Sequence, residues 1–437
     1  MFDFNSDCKN KYYTLYKKLR EEILKGKLKA GEKLPSKRKM AEELGVSVVT
    51  AELALSQLAA EGYIRSEERR GYFVEEVYSL NTPPRLVQKH VNKERKPEFK
   101  LDLVNGNIPA EMFPFSTWAR LIRLVLADCG EHLLERVPCD GDGELKQAIS
   151  DYLYRSRGID APPRYIVVGA GAEHLYGIIV QLLGRDKLFA VENPGYLKIA
   201  STYSLNGAKW VAVNVDGRGI NIDSLISSGA DVAHVSPSHQ FPTGAVMPVS
   251  SRAKLISWAN GRDGYIVEDD YDSEFRLVGK PLQSTYSLCP DRVIYINTFS
   301  KSLAPSMRLG YMVLPPALYE RYINTFSESA NLVPLFEQKA LALMLNGGYF
   351  ERHISRLRNY YKEVRKKLLN KLEGVCEVDD TGSGLHLVAK FPNLASDEVI
   401  KRKAAEEGVN IKCLSDYLLA PLEGVEKCAV INFTGYK

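Results

Sequence analysis

The interpretation of most of this chain depends on the segment TFSKSLAPSMRLGY, residues 298–311. It follows the apolar run RVIYIN (292–297), which has the composition of a buried strand. Lys301 stands between two serines just beyond the end of that strand. A lone lysine in such a place is most often a surface residue whose aliphatic stem lies along the protein. The polar residues at the ends of other strands therefore decide how Lys301 is interpreted.

Short apolar runs ending in polar residues recur through the second part of the chain, separated by segments of helical length. This alternation predicts a parallel sheet with helices on both faces. In open sheets of this kind ligands bind beyond the carboxyl ends of the strands. The side chains expected at that edge are Tyr196, His239, Gln240, Asp269 and Tyr271.

A second group of residues suits a phosphate. VVGAGAEHL (167–175) reads as a strand, a glycine turn and a helix start, where backbone N–H groups and the helix dipole attract anions. The amides expected to face the phosphate belong to Gly171, Ala172 and Glu173. The segment around Lys301 adds hydroxyl and guanidinium donors from Thr298, Ser300 and Arg308.

Chemistry on pyridoxal phosphate needs an amine whose pKa can be lowered, an acid facing the pyridine nitrogen and a polar cradle for the phosphate. Lys301 supplies the amine, and Asp269 can pair with the pyridinium. Tyr271, and the pair His239 and Gln240, are expected near the phenolic oxygen or its pocket, while the ring of Tyr196 can stack on the cofactor. Each motif alone also has an explanation that involves no cofactor, such as a solvated acidic loop or an ordinary strand-to-helix turn. Their coincidence at one sheet edge favours the cofactor.

The first 78 residues follow a different pattern. Leu15, Leu19 and Ile23 recur at helical spacing and predict a first helix. Ser36 is expected to cap a second helix that ends at Gly45, and Ser47 to cap a third. Two short helices joined by a glycine turn predict a helix-turn-helix whose second member enters the major groove. The segment GYIRSEERRGYFV (62–74) then predicts a hairpin wing with arginines at its tip.

This front module resembles the GntR-type winged helix, particularly in GEKLPSKRKMAEELGVS (31–47) and LAAEGYIRSEERRGYFV (58–74). The resemblance implies binding to double-stranded operator DNA. The residues implied to touch DNA are Ser36, Arg38, Ser47, Thr50, Arg70 and Gly71. Val48 departs from the family, which usually has a polar or basic residue at that position. A three-helix bundle with merely solvated lysines is the alternative interpretation.

The order of motifs after residue 100 resembles fold-type I pyridoxal-phosphate enzymes of the aminotransferase class I and II group. With the GntR-like front end, the chain is identified as resembling the MocR/GabR subfamily of GntR regulators. The resemblance implies a multidomain protein: an α+β winged helix-turn-helix followed by an α/β aspartate aminotransferase-like fold with large and small subdomains. It also implies Lys301 as the lysine that binds the cofactor, and a homodimer in which the two chains exchange domains.

The expected boundaries are a DNA-binding domain at 1–78, a proline-containing cationic linker at 79–100 and a pyridoxal-phosphate domain at 101–437. Within the last, the large subdomain is expected at about 150–340 and the small one mostly at 341–437. Residues 1–100 carry 21 basic and 15 acidic side chains, although the whole chain has a net charge of only +4. The basic excess in the front part agrees with a polyanionic partner.

Three departures from aminotransferases concern the substrate side. The C-terminal stretch CAVINFTGYK has Asn432 or Phe433 where an arginine usually holds the substrate carboxylate. Pro138 stands where an aromatic residue is common, and Ala172 where a hydroxyl residue is common. Lys198, two residues after Tyr196, is a candidate for the effector carboxylate, although a surface lysine is an equal alternative.

Two functions remain open at this point. The first is a ligand-responsive transcriptional regulator whose effector is a small amino compound or pyridoxal phosphate itself. The second is an active aminotransferase with an accessory DNA-binding domain; the missing arginine counts against it, because catalysis needs a fixed substrate orientation. The sequence has no apolar run long enough for a membrane span, no secretory signal and seven scattered cysteines. We therefore expect a cytoplasmic protein, with no membrane partner and no metal site.

Overall fold

The computed structural model describes residues 11–77, 99–104, 106, 108–279 and 282–436. The chain forms two compact units, whose described parts are 11–77 and the residues from 99 onward. Apart from residues 99 and 100, the predicted linker lies outside the described residues.

The N-terminal unit consists of three helices and a hairpin: α1 (Lys11–Leu24), α2 (Lys37–Leu44), α3 (Val48–Ala60), β1 (Ile64–Glu67) and β2 (Gly71–Val74). Ser36 caps α2 by accepting a hydrogen bond from the Lys39 N–H, and Ser47 caps α3 by accepting one from the Thr50 N–H. Gly45 ends α2 in the left-handed conformation, with φ of 63°. The predicted winged helix-turn-helix is confirmed, and its core is formed by one buried face of each helix.

The C-terminal unit contains fourteen strands in its described residues. They are β3 (Leu101–Asp102), β4 (Ile166–Gly169), β5 (Leu188–Asn193), β6 (Lys209–Asp216), β7 (Gly219–Ile220), β8 (Val232–Val235), β9 (Tyr265–Asp269), β10 (Val293–Thr298), β11 (Gly310–Val313), β12 (Glu377–Asp379), β13 (His386–Lys390), β14 (Val409–Asn410), β15 (Lys412–Cys413) and β16 (Cys428–Asn432).

Helices surround these strands. They are α4 (Phe115–Cys129), α5 (Gly143–Arg157), α6 (Ala172–Leu183), α7 (Leu197–Leu205), α8 (Ile222–Ser227), α9 (Val249–Arg262), α10 (Pro316–Phe326), α11 (Leu335–Asn346), α12 (Tyr349–Leu372) and α13 (Asp397–Glu406).

Eight strands form the large sheet in the order β4-β11-β10-β9-β8-β5-β6-β7. The pairs from β10 through β9, β8 and β5 to β6 are parallel. The predicted parallel sheet also contains two antiparallel strands: β11 lies antiparallel to both β10 and β4, and β7 is antiparallel to β6. β11 follows β10 after a short connection that contains Lys301, so the chain reverses direction without a crossover helix. This reversal holds Lys301 at the carboxyl end of β10.

A smaller four-stranded sheet has the order β12-β13-β16-β15. The short strand β3 pairs in parallel with β14, through Leu101 with Val409 and Asp102 with Asn410. Residues just after the predicted linker therefore join the C-terminal part of the chain, which sequence spacing did not predict. The α/β aspartate aminotransferase-like architecture with a large and a small sheet is confirmed.

Among the described residues, no single helix is long and apolar enough to cross a membrane. The pair α2 and α3 passes the same test only when the two are taken together across a bend of 120°.

Candidate functional site

Lys301 lies in the turn between β10 and β11, and its side chain is partly buried. Its Nζ is 3.5 Å from the carbonyl oxygen of Gly106. Burial lowers the pKa of the Lys301 amine, and the nearby Asp272 carboxylate opposes that shift. Burial therefore favours the neutral form of the Lys301 amine, which is the form that can attack a carbonyl carbon.

Asp269 ends β9 and is buried. Its Oδ2 accepts a hydrogen bond from the Tyr176 hydroxyl and lies 3.5 Å from His234 Nε2. His234 Nδ1 is in turn 2.6 Å from the Tyr203 hydroxyl. The other oxygen, Oδ1, is buried without a hydrogen-bond partner among the described residues. A buried, unpaired carboxylate oxygen is costly, so this one is suited to a cationic donor from a ligand.

Tyr271 lies beside a histidine pair. Its hydroxyl is 3.3 Å from His239 Nδ1, which lies 3.0 Å from Asp272 Oδ2. The ring of His386 has its centroid 4.4 Å from that of His239. Burial lowers the pKa of His386 well below its ordinary value, and His239 and Lys301 add to that shift. The trio His239, Asp272 and His386 offers ligand atoms within 4.8 Å of one another, a cluster that the sequence did not predict.

The turn before α6 brings the start of that helix close to the Arg308 guanidinium. Gly171 precedes the helix with φ of 85° and has no side chain to cap it. A Cβ at Gly171 would lie 3.0 Å from Arg308 Cζ, so the glycine lets the guanidinium come close to the helix start. Arg308 itself adopts the left-handed conformation, with φ of 48°. Ala172 and Glu173 occupy the first turn of α6, whose N–H groups have no partner within the helix.

The remaining predicted residues divide into two groups. Thr298 is buried at the end of β10 and Ser300 is partly buried in the turn beside Lys301. The ring of Tyr196 is 41% exposed and makes an edge contact with Phe241. These side chains lie at or near the carboxyl ends of their strands, as the sequence predicts.

Gln240 and Lys198 have their polar groups engaged elsewhere. The amide nitrogen of Gln240 donates to the carbonyl oxygens of Pro194 and Phe241, and its oxygen accepts from Thr243. Lys198 forms an ion pair with Glu173 at 3.2 Å, and its side chain is 60% exposed. The polar atoms of Gln240 are therefore bonded within the protein, and Lys198 is paired with Glu173.

Asn432 lies close to Lys301. It is one of the two residues that stand where aminotransferases usually have the arginine for the substrate carboxylate. A Cβ at Gly106 would be 2.5 Å from Asn432 Nδ2 and 3.1 Å from Lys301 Nζ, so both groups crowd the same glycine. The Asn432 oxygen accepts hydrogen bonds from the N–H and hydroxyl of Thr434. This places a neutral amide nitrogen, rather than a guanidinium, beside the amine.

The candidate DNA contacts lie in the N-terminal unit. Ser36 and Ser47 are exposed at the starts of α2 and α3, and Arg38 is exposed in the first turn of α2. The Thr50 hydroxyl is 2.8 Å from Ser47 Oγ. In the hairpin, Gly71 begins β2, and the side chain of Arg70 is 72% exposed and forms an ion pair with Glu67.

Comparison with known families gives two matches along the chain. Residues 11–74 match the family described as bacterial regulatory proteins, gntR family, and residues 103–424 match aminotransferase class I and II. The rhizopine catabolism regulatory protein MocR of Rhizobium meliloti is 34% identical over 92% of this chain and 86% of its own. The chain belongs to the MocR subfamily of GntR-type transcriptional regulators.

Further relatives of this MocR-type chain agree with that assignment. The pyridoxine biosynthesis transcriptional regulator PdxR of Corynebacterium glutamicum is 29% identical over 92% of this chain and 88% of its own. A multiple substrate aminotransferase from Thermococcus profundus, a solved structure, has a TM-score of 0.69 at 24% identity. The match covers 78% of this chain and 88% of that one, and it confirms the aminotransferase fold of the C-terminal unit.

Besides Asp272 and His386, sequence reasoning missed the residues around Asp269. Tyr176 and His234 contact Asp269, and Tyr203 contacts His234, although all three lie far from Asp269 in the chain. One signal was available: His234 interrupts the otherwise apolar run VAHV of β8, and a polar side chain in a fully buried strand requires a partner.

Proposed function

We propose that this chain is a transcriptional regulator whose aminotransferase-like unit binds pyridoxal phosphate and senses a small amino compound or pyridoxal phosphate itself. The observation that carries this proposal is the free, buried Oδ1 of Asp269 at the same sheet edge as the Lys301 amine. An acid and an amine so placed match the two groups that hold the ring of this cofactor, an acid at its pyridine nitrogen and a lysine amine at its aldehyde. The GntR-type helix-turn-helix supplies the DNA-binding half.

The residues present fit pyridoxal phosphate. Lys301 would hold the cofactor covalently through its amine, and Asp269 would accept a hydrogen bond from the pyridine nitrogen. Arg308 and the amides after Gly171 would hold the phosphate, supported by Ser300. When an amine is attached to it, this cofactor withdraws electrons from the carbon that carries the amine nitrogen.

Several other side chains would complete the pocket. Tyr271 would meet the phenolic oxygen, with His239 and Asp272 orienting its hydroxyl. Tyr196 would cover one face of the ring, since its own ring is partly exposed. Tyr176 and His234 would hold Asp269 in place, as outer-shell partners commonly do for a binding carboxylate.

The effector side supports a sensor over an enzyme. A neutral amide at Asn432 holds a carboxylate less firmly than a bidentate guanidinium does. Precise orientation of a substrate lowers the activation barrier by several kcal/mol, and a weakly held carboxylate would lose part of that contribution. A bound amino compound would then persist rather than turn over. The names of PdxR and MocR, which refer to pyridoxine biosynthesis and rhizopine catabolism, agree with both classes of effector.

We further propose that the chain acts as a homodimer with exchanged domains on two operator half-sites, in the cytoplasm with the chromosome. α4 and the segment after it expose Phe115, Leu126 and Leu134, at 65%, 52% and 84%. Large exposed apolar side chains grouped in this way are typical of a surface covered by a partner chain. Two half-sites engaged together would compensate for modest affinity of each winged helix.

An absorbance titration tests the proposed function. The purified protein is expected to show the visible absorbance of covalently bound pyridoxal phosphate, and one compound from a panel of amino acids and amines is expected to shift it stably. Rapid conversion to the pyridoxamine form, reversed by a keto acid, would instead make the protein an aminotransferase first. A colourless protein that does not take up added pyridoxal phosphate would contradict the cofactor proposal.

Substituting Gly171 by alanine is expected to weaken pyridoxal phosphate binding, because the new Cβ would displace the Arg308 guanidinium. The backbone conformation at Gly171, with φ of 85° and ψ of 174°, would also cost about 1–3 kcal/mol of folding free energy for alanine. Gly229→Ala is the matched control, since Gly229 has φ of 73° but open space around its Cβ position. Equilibrium dialysis measures the affinity for the cofactor. If Gly171→Ala binds the cofactor as tightly as the wild type and the control do, the phosphate does not bind at this turn.

Substituting Arg38 by alanine is expected to weaken DNA binding by about tenfold, the value of one charge-assisted hydrogen bond to phosphate. The slope of log affinity against log salt should fall by about one. Fluorescence anisotropy at several salt concentrations measures both quantities. Lys17→Ala, which removes an exposed charge from α1, is the control. An unchanged slope for Arg38→Ala would remove this residue from the contact surface.

A further inference from the structure

The face of α3 that points away from the core carries exposed apolar side chains together with Ser56. Val49 and Leu53 are 64% and 52% exposed and lie one helical turn apart, so their side chains are neighbours on one face. Val48, the first residue of the helix, is 40% exposed. The buried face is formed separately by the opposite side of the helix. Exposed branched side chains on the second helix of a helix-turn-helix stand where base edges are read.

Three of the charged or hydrogen-bonding side chains on α3 are engaged, and a fourth, Ser56, is exposed. Its sequence VVTAELALSQLAA contains no lysine or arginine. The Glu52 carboxylate accepts a hydrogen bond from Lys37 Nζ at 2.6 Å, and the Thr50 hydroxyl is paired with Ser47. The amide nitrogen of Gln57 donates to Glu61 at 3.0 Å. Bidentate reading of guanine by arginine, the commonest specific base contact, is therefore not available from this helix.

We infer that α3 reads its operator through apolar contact with thymine methyl groups, made by Val49 and Leu53 and, at the helix start, by Val48. This inference rests on the proposed DNA-binding function. In the major groove only thymine presents a methyl group, so an apolar helix face distinguishes A·T from G·C pairs and also the two orientations of A·T. Phosphate contacts then come from outside α3.

Basic residues around the apolar face favour DNA over a protein as its occupant. Arg38 and Lys39 are exposed in the first turn of α2. The hairpin exposes Arg65, Arg69 and Arg70, of which Arg65 and Arg70 form ion pairs with Glu67. This division, with cations outside α3 and methyl groups on it, matches phosphates flanking a groove of base edges. A protein partner for Val49 and Leu53 is an alternative that the experiment below distinguishes.

The test uses the full-length protein loaded with pyridoxal phosphate. Duplexes are enriched by repeated selection from a random-sequence library, and the thymines of the enriched site are replaced one at a time by uracil, which lacks only the methyl group. Each contacted thymine should lose affinity by about fourfold, the ratio expected for one methyl carbon removed from an apolar contact. Uracil outside the enriched site is the internal control. Fluorescence anisotropy measures the affinities.

Two variants assign the contact to α3. Val49→Ala and Leu53→Ala should weaken binding to the thymine duplex and should no longer distinguish it from the uracil duplex at the position each contacts. Both side chains are exposed and alanine favours helix, so the fold is retained. Tyr13→Ala, which truncates an exposed apolar side chain on α1, should behave as the wild type.

The outcomes separate this inference from the function on which it rests. Enriched duplexes that bind equally well with uracil at every position would overturn methyl reading and leave the regulator proposal intact. The same result, accompanied by a changed oligomeric state in Val49→Ala and Leu53→Ala, would assign the apolar face to a protein contact. Failure to enrich any duplex would overturn the DNA-binding function, and the inference with it.

Discussion

Replacing Lys301 by alanine is expected to abolish the visible absorbance of bound pyridoxal phosphate completely, because Lys301 is the amine proposed to hold the cofactor covalently. Asn432 and Gly106 are the groups that crowd the amine, and neither supplies a second one. Retained circular dichroism would show that the fold persists. We expect this result because burial disfavours the charged form of Lys301, as the lowered pKa of its amine indicates.

The control for this substitution is Lys198→Ala. Lys198 is exposed and paired with Glu173, so its loss should leave the absorbance unchanged. Cofactor absorbance that survives Lys301→Ala and disappears in another lysine variant would contradict the assignment.

Replacing Asp269 by asparagine is expected to weaken pyridoxal phosphate binding by about 10- to 100-fold, the value of a hydrogen bond to a charged group. The free Oδ1 of Asp269 is the proposed acceptor for the pyridinium, and an amide carries no charge to stabilise it. Asparagine has nearly the same shape and keeps an oxygen for the Tyr176 hydroxyl, so the loss should be specific to the cofactor. Equilibrium dialysis or quenching of protein fluorescence measures the dissociation constant.

Asp231→Asn is the matched control, because Asp231 is a partly exposed carboxylate on the same unit that pairs with Lys187 at a distance of 4.0 Å. It should bind the cofactor as the wild type does. Equal affinities for Asp269→Asn and Asp231→Asn would mean that the pyridine nitrogen faces something other than Asp269.

Features set by local physical chemistry were predictable from the sequence. Ser36, Gly45 and Ser47 mark helix ends through a side-chain acceptor or a left-handed backbone, and each depends only on neighbouring residues. The strand ends that carry Asp269 and Lys301 were predictable for a similar reason. An apolar run followed by polar residues marks the place where a buried strand leaves the core.

Features that depend on distant parts of the chain were not predictable in this way. The antiparallel direction of β11 was not predictable, because an apolar run of four residues carries no information about the direction of the strand. The pairing of Asp269 with Tyr176 and His234 joins three separate elements. The ion pair of Lys198 with Glu173 likewise required the structure, because it links the first turns of two different helices.

The central claim is that ligand binding in the aminotransferase-like unit changes how the winged helix binds DNA. Two-state coupling requires reciprocity: a ligand that changes DNA affinity by some factor must have its own affinity changed by the same factor when DNA is bound. The direct measurement is the affinity for an enriched duplex with and without the amino compound that shifts the absorbance, paired with the compound's affinity with and without the duplex. We expect equal factors of about 5 to 150. DNA affinity that stays the same at saturating ligand would contradict it.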